Sequence, residues 1–157
     1  MEESPDPLNA ERGTRNSERS AVSSNLRHAT INWTGGLIFE GGVPGEPAIR
    51  LDGDGAAGPS PVVTLLLAAA SCSGADVVSI LEKSRAGLVT CRIEATGTRR
   101  EDHPRRLTAI HLVFHLAGTA VDEAKARRAI DLSLEKYCSV IHSLARDIVL
   151  THELVLG

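Results

Sequence analysis

The feature that most constrains this chain is an apolar run at residues 62–70, where every side chain except one threonine is aliphatic. Ser60 and Pro61 precede the run with the pattern of a helix N-cap followed by proline in the first turn. Gly87 is a typical C-terminal stop for the same helix. The sequence therefore predicts a helix over residues 61–85. Because a helix that is apolar nearly all round has to be buried, the other elements must pack around it.

A membrane span is the alternative interpretation of this helix. Polar residues interrupt the apolar run well before the roughly 20 residues that a bilayer requires. They are Ser71, Ser73, Asp76 and Ser79. The sequence therefore predicts a buried helix of a water-soluble domain and no membrane partner.

Segments of alternating polarity on both sides of the helix predict strands. They cover residues 29–33, 37–40, 48–51, 89–96, 107–116 and 148–156. In the fourth strand the predicted inner face carries Val89, Cys91, Ile93 and Ala95, and in the fifth it carries Ile110, Leu112, Phe114 and Leu116.

A second helix is predicted over residues 122–144, with a break near Cys138 and an apolar stripe of Ile130, Leu134, Tyr137, Ile141 and Leu144. This order of elements predicts an α+β fold with at least six strands.

Composition divides the chain into a tail and one domain. Residues 1–27 are polar and almost free of large apolar side chains, so we predict a disordered tail, followed by a domain over residues 28–157. Four aromatic residues and a net charge of −3 offer neither stacking platforms nor a basic surface, which argues against nucleic acid. Three cysteines and no apolar N-terminal stretch predict a reducing, cytoplasmic location, where a disulfide would be transient and catalytic.

Three cysteines are the candidates for chemistry. Cys72 lies among small residues on the first helix, Cys138 lies beside the stripe of the second helix, and Cys91 lies on a strand. Buried cysteines are usually plain core residues, and spacing alone leaves three pairings open.

Metal and nucleotide sites have no support in the sequence. Neither Cys-x-x-Cys nor His-Glu-x-x-His is present. His111 and His115 are four positions apart on a predicted strand, about 13 Å, which is too far to share a metal. The glycine-rich loops lack a phosphate-binding pattern, so we expect no metal and no cofactor.

Two blocks of the sequence resemble a known family. Residues 58–81, with Cys72, are similar to the first-cysteine helix of the OsmC/Ohr superfamily, and residues 127–140, with Cys138, are similar to its second-cysteine helix. The likeness is strongest to the YhfA-type branch and runs from about His28 to the end of the chain.

The resemblance implies a fold and a reaction. It implies antiparallel sheets wrapped around long central helices in an intertwined homodimer. It also implies a thiol-dependent peroxidase that reduces organic hydroperoxides in defence against oxidative stress. Cys72 would attack the peroxide and become a sulfenic acid, Cys138 would resolve it as a disulfide, and Cys91 would stay free. A dithiol, lipoyl in the better-known branches, would reduce the disulfide.

The sequence departs from the family pattern at the charges that activate the first cysteine. Well-known members place an arginine in an early glycine-containing loop and a glutamate just after the helix-opening proline. Here Val62 and Val63 follow that proline, and the early loop has no arginine. Arg50, Arg99 and Arg100 are the candidate substitutes, and Arg99 and Arg100 are the predicted ones because their basic loop belongs to the matched region. The alternative function is a non-catalytic binding protein that holds a small apolar ligand at the dimer interface.

Overall fold

The computed structural model describes residues 25–157, so the predicted tail lies outside the described residues except for its last three. Strands and helices follow one another in the predicted order, which confirms the α+β class. The elements are β1 (Thr30–Gly35), β2 (Ile38–Gly42), β3 (Ile49–Asp52), α1 (Pro61–Lys83), β4 (Leu88–Arg99), β5 (Leu107–Gly118), α2 (Glu123–Leu132), a π-helical turn (Ser133–Tyr137), α3 (Ser139–His142) and β6 (Val149–Leu156). The described chain divides into two compact units, one up to Arg50 and one from Leu51 to Gly157.

The first unit is built on a hairpin of β1 and β2, with β3 next to β2 in the sheet. Gly35 and Gly36 form the predicted turn, and both have positive φ angles of 129° and 56°, which glycine adopts without steric cost. Trp33 lies opposite Phe39 across the hairpin. Both side chains are exposed, Trp33 to 67% and Phe39 to 37%. Trp33 and Phe39 therefore give the hairpin an exposed apolar surface.

Helix α1 opens the second unit as the sequence predicts. The Ser60 side chain accepts a hydrogen bond from the Val63 N–H, and Pro61 occupies the first turn. One face is buried and carries Ala69, Ala70, Ser73, Gly74, Val77 and Leu81. The first two turns of the helix leave Val63, Leu65 and Leu67 exposed. By length and composition α1 could also cross a membrane, a property that core helices of soluble proteins share.

Strands β4, β5 and β6 form the second sheet, with β5 in the centre. Strand β4 pairs with β5 in antiparallel direction, whereas β6 pairs with β5 in parallel direction. The prediction of antiparallel sheets is therefore wrong for this pair. Alternating polarity indicates which face of a strand is buried, but it does not indicate direction. The helical connection after β5 returns the chain to the starting end of β5, as a parallel pairing requires.

The core lies between this sheet and the helices. Ile110, Leu112, Phe114 and Leu116 are buried on β5, which confirms the predicted inner face. They form one cluster with residues of α1 and α2, among them Val77, Leu81, Ala126, Ala129 and Ile130. Val89 departs from the prediction and is 72% exposed. A register shift between Leu88 and Thr90 turns it outward, so that the inward alternation begins at Cys91.

The second helical segment is broken at Cys138, as predicted. Helix α2 continues into the π-helical turn, and Cys138 then adopts an extended ψ of 97° before α3 begins. The wider turn changes the phase of the helix. Tyr137 is therefore 49% exposed, contrary to the predicted stripe.

Candidate functional site

Cys72 lies midway along α1, several turns away from either end, and is half-buried. Its immediate neighbours on the helix are small, since Ser71, Ser73 and Gly74 surround it. A small second reactant can therefore approach the sulfur. The helix dipole acts mainly within the first turn, so the position on α1 does not by itself activate the thiol.

Cys138 is fully buried at the break before α3. Its extended backbone makes it the N-cap of this short helix, and its Sγ accepts a hydrogen bond from the Ile141 N–H at 3.5 Å. The Ser73 hydroxyl donates a second hydrogen bond to the same sulfur at 3.3 Å. The break in the helix thus turns Cys138 toward α1.

The two cysteines meet between α1 and the segment that starts at Cys138. The Ser139 Oγ, next to Cys138 in the chain, lies 3.8 Å from the Cys72 Sγ. The Ser73 Oγ, next to Cys72, lies 3.3 Å from the Cys138 Sγ. These crossed contacts place the two cysteines in one polar site between α1 and the segment that starts at Cys138.

These contacts determine the pKa of Cys72. Burial raises this pKa and is the largest single effect, and the nearby Asp76 carboxylate raises it as well. The hydrogen bonds from Val140, Cys138 and Ser139 outweigh both effects, and the pKa of Cys72 lies below its ordinary value. Hydrogen bonds to the charged form favour it, so more of Cys72 is thiolate at neutral pH than an ordinary cysteine would be.

The pKa of Cys138 moves in the opposite direction. Burial raises it most, and the hydrogen bond that Cys138 donates to Cys72, together with the charge of Cys72, raises it further. The donors Ser73 and Ile141 lower it only in part. The pKa of Cys72 therefore lies below that of Cys138, and Cys72 is the more acidic thiol of the pair.

A second set of hydrogen bonds fixes the two helical segments against each other. The buried Ser133 hydroxyl, in the π-helical turn, lies 2.9 Å from Asp76 Oδ2 and 3.3 Å from the Ser73 carbonyl oxygen. The site thus includes serines that the sequence analysis missed, Ser73, Ser133 and Ser139. Ser73 and Ser133 did carry a signal, because a hydroxyl on the buried face of a helix needs a partner.

Arg99 and Arg100 lie elsewhere in the second unit, at the end of β4. The Arg99 Nε donates to the Arg105 carbonyl oxygen at 2.6 Å. Together with Glu101 and Arg105, the two arginines line a surface cavity of about 350 Å³. The contacts that displace the pKa of Cys72 come from other residues. The structure therefore brings Cys72 and Cys138 together, and it does not bring Arg99 or Arg100 to them.

Comparison with known proteins places this arrangement in a family. Residues 52–153 match the model of the OsmC family, described as OsmC-like protein. The chain is 43% identical to Protein YhfA of Escherichia coli K12 over 125 residues, which is 79% of this chain and 93% of that protein. This chain belongs to the OsmC-like family.

Solved structures show the same fold. A hypothetical protein from Aquifex aeolicus shares 27% identity and a TM-score of 0.73, over 85% of this chain and 98% of that chain. The organic hydroperoxide resistance protein OhrB of Bacillus subtilis shares 16% identity and a TM-score of 0.58, over 83% of this chain and 99% of that chain. At that identity the likeness to OhrB shows the fold alone.

The third cysteine of this OsmC-like chain lies apart from the pair. Cys91 faces inward from β4, and burial raises its pKa. It lines an apolar surface groove of about 370 Å³ whose other residues are Leu67, Ala70, Ser71, Gly74, Val78 and Ile93. A protonated, half-buried thiol in such a groove is poorly nucleophilic.

The two histidines of β5, His111 and His115, form side-chain contacts within the sheet. His111 Nδ1 lies 2.8 Å from Thr151 Oγ1, and His115 Nε2 lies 2.8 Å from Glu94 Oε1. Within residues 25–157, no group of three or more His, Cys, Asp or Glu side chains is arranged to hold a metal ion.

Proposed function

We propose that this OsmC-like protein is a thiol-dependent peroxidase that reduces organic hydroperoxides with Cys72 and Cys138. The observation that carries the proposal is the placement of the two cysteines in one site, with the Ser139 hydroxyl beside the Cys72 sulfur and the Ser73 hydroxyl beside the Cys138 sulfur. Such a pair is suited to a two-step redox cycle. The fold that the chain shares with an organic hydroperoxide resistance protein supports the same chemistry.

In the first step Cys72 is the nucleophile. Its thiolate attacks the outer oxygen of the hydroperoxide, an S–O bond forms and the O–O bond breaks. The sulfur is oxidised to sulfenic acid, and the organic product leaves as an alkoxide that takes up a proton to become the alcohol. A thiolate performs this attack and a thiol does not, so the lowered pKa of Cys72 increases its rate at neutral pH.

In the second step Cys138 resolves the sulfenic acid. Its sulfur attacks the sulfur of Cys72, an S–S bond forms and the S–O bond breaks. The proton of Cys138 leaves with the hydroxyl group as water. The contacts of Ser139 with Cys72 and of Ser73 with Cys138 support a short approach of the two sulfurs. A nearby resolving thiol also protects Cys72 from irreversible oxidation to sulfinic acid.

In the third step a dithiol returns the enzyme to its starting state. One of its thiolates attacks the disulfide, and its second thiol releases the protein, so that two cysteine thiols and one oxidised dithiol result. A lipoyl group is the dithiol that the family resemblance implies. The reducing cytoplasm, the proposed location, would supply such a reductant.

We propose that hydrogen bonds activate Cys72 in the place of a cation. The Val140 N–H, the Cys138 thiol and the Ser139 hydroxyl stabilise the thiolate directly. A hydrogen bond to a charged group contributes about 1.5–3 kcal/mol, and one pKa unit corresponds to about 1.4 kcal/mol. Two or three such bonds can therefore offset the cost of burial without an arginine.

A homodimer is the proposed assembly. Helix α1 exposes the apolar side chains of Val63, Leu65 and Leu67, and Leu67 is 54% exposed. The hairpin of the first unit exposes Trp33 and Phe39. A second copy of the chain would cover such apolar surfaces, which soluble monomers rarely leave open.

A non-catalytic binding role is the alternative from the same fold. It predicts an apolar shell around Cys72 and a thiol with a raised pKa. The pKa of Cys72 is instead lowered by polar groups of Val140, Cys138 and Ser139, and this favours the enzyme over the binding protein.

Mass spectrometry of the intact protein after one equivalent of an organic hydroperoxide tests the proposal. We expect the wild-type protein to lose two hydrogens, with a Cys72–Cys138 disulfide in the peptide map. The Cys138→Ser variant should instead gain one oxygen on Cys72. Cys91→Ser is the matched control and should behave as the wild type. An unchanged mass, or a main disulfide that contains Cys91, would contradict the proposal.

A further inference from the structure

We infer that Ser73 is a positioning residue for the second step, in which its hydroxyl stabilises the negative charge that develops on Cys138. This inference rests on the proposed two-cysteine cycle and adds a residue to it. Ser73 follows Cys72 directly on α1. One helix thus carries both the nucleophile of the first step and a donor for the nucleophile of the second.

The geometry of Ser73 is that of a dedicated donor. The residue is fully buried, and so is Cys138. The Ser73 Oγ donates to the Cys138 Sγ at 3.3 Å, and sulfur accepts hydrogen bonds at such distances. A buried hydroxyl loses its hydrogen bonds to water, and the hydrogen bond to the Cys138 sulfur compensates for that loss.

The position of Ser73 is fixed from a second direction. Its carbonyl oxygen lies 3.3 Å from the Ser133 Oγ, which also lies 2.9 Å from Asp76 Oδ2. Ser133 belongs to the π-helical turn that leads into Cys138. The contact between α1 and this turn therefore holds both the Ser73 hydroxyl and the Cys138 sulfur in position.

The chemistry requires a donor at Cys138 only after the first step. In the resting state Cys138 is the less acidic thiol of the pair, because burial raises its pKa. Once Cys72 is a sulfenic acid, its negative charge is gone and Cys138 has to become the nucleophile. The S–S bond then forms, the S–O bond breaks, and the proton of Cys138 leaves with the hydroxyl as water. Ser73 and the Ile141 N–H are the donors that face the sulfur of Cys138 during this transfer.

Among the described residues, two titratable side chains of α1 are connected to Cys138 or to its segment. Cys72 on α1 interacts with it directly. Asp76, also on α1, is connected to the segment of Cys138 through Ser133. After oxidation of Cys72, Cys138 is the group that must lose a proton.

The test measures the two steps separately in Ser73→Ala, by rapid quenching with a sulfenic-acid probe and by disulfide formation. We expect sulfenic acid to form within about twofold of the wild-type rate, because the Ser73 hydroxyl donates to the sulfur of Cys138 and not to that of Cys72. Disulfide formation should slow about tenfold at neutral pH and recover as the pH rises, since one donor to a charged sulfur is lost. Sulfinic acid on Cys72 should accumulate in this variant.

Two controls separate positioning from general loosening of the site. Ser71→Ala removes an exposed hydroxyl from the same helix, whose partner is the Ala68 carbonyl oxygen, and should leave both steps unchanged. Ser133→Ala loosens the contact between α1 and the π-helical turn but keeps both donors on Cys138. It should slow the second step without moving its pH profile.

A measurement without turnover provides independent support. In a Cys72→Ser, Cys91→Ser background, the thiolate absorbance of Cys138 should titrate at higher pH when Ser73 is alanine. An unchanged titration, or wild-type disulfide formation with an unchanged pH profile in Ser73→Ala, would overturn the role of Ser73 and leave the peroxidase standing. If the wild-type protein forms no sulfenic acid at all, the proposed function fails, and this inference fails with it.

Discussion

Cys72 and Cys138 lie in one polar site between α1 and the broken helix, and the pKa values of the two thiols are displaced in opposite directions. The interaction between them lowers the pKa of Cys72 and raises that of Cys138. This asymmetry assigns different roles to two residues of the same type, because the more acidic thiol is the first nucleophile and the less acidic one reacts after it. The break in the second helical segment is what makes the contact possible, since it turns Cys138 toward α1.

The opposite displacements predict an order of reactivity toward iodoacetamide. Cys72 should be alkylated first, with a pH midpoint below that of an ordinary cysteine, because its thiolate is stabilised by hydrogen bonds. Cys138 and Cys91 should react at higher pH, since burial raises both pKa values. Peptide mapping across a pH series measures all three residues in one sample. Faster alkylation of Cys91 than of Cys72 would contradict the assignment.

Ser139→Ala should raise the pKa of Cys72 and slow its reaction with peroxide. The hydroxyl lies 3.8 Å from the Cys72 sulfur, so its loss should reduce the rate at neutral pH about two- to tenfold. Ser139 is exposed, and the fold should be unaffected. Ser71→Ala, the removal of another exposed hydroxyl, is the matched control. A thiolate titration of Cys72 that is the same in both variants would show that Ser139 has no role.

The sequence was sufficient for the elements that depend on local patterns. The cap at Ser60 and the inner face of β5 were predicted because N-cap residues and alternation are local signals, and a break near Cys138 was predicted as well. Val89 was misassigned because a register shift depends on pairing with β5, which alternation within β4 does not contain. The direction of β6 was misassigned for a similar reason, since it follows from the path of the whole connection.

The site was predicted only in part. The family resemblance selected Cys72 and Cys138, and the structure places both in one site, with Ser139 beside Cys72 and Ser73 beside Cys138. The sequence indicates that a buried Ser73 needs a partner, but not which one, because Ser73 and Ser139 reach the sulfurs only through the packing of α1 against the broken helix. A backbone N–H such as that of Val140 has no signature in a sequence at all.

Leu67→Glu should convert the proposed dimer into monomers. The side chain is 54% exposed in the single chain, so a carboxylate there is solvated and the protomer should still fold. In a dimer that covers this face of α1, the carboxylate would lose its water without gaining a partner, which is costly. Sedimentation velocity at micromolar concentration measures the outcome, and Lys83→Glu at the exposed end of the same helix is the control. A wild-type protein that sediments as a monomer would contradict the proposed assembly.

Arg99→Met and Arg100→Met distinguish the two ways in which Cys72 could be activated. The sequence predicted that one of these arginines supplies a positive charge, whereas the hydrogen bonds that lower the pKa of Cys72 come from Cys138, Ser139 and Val140. We therefore expect both variants to keep the thiolate titration of Cys72 and its rate of reaction with peroxide. Arg99 is bound to the Arg105 carbonyl oxygen at 2.6 Å, so its loss should affect the loop after β4 instead. A pKa of Cys72 that rises in either variant, with Ser139→Ala showing no effect, would instead establish the arginine as the activating charge and reject activation by hydrogen bonds.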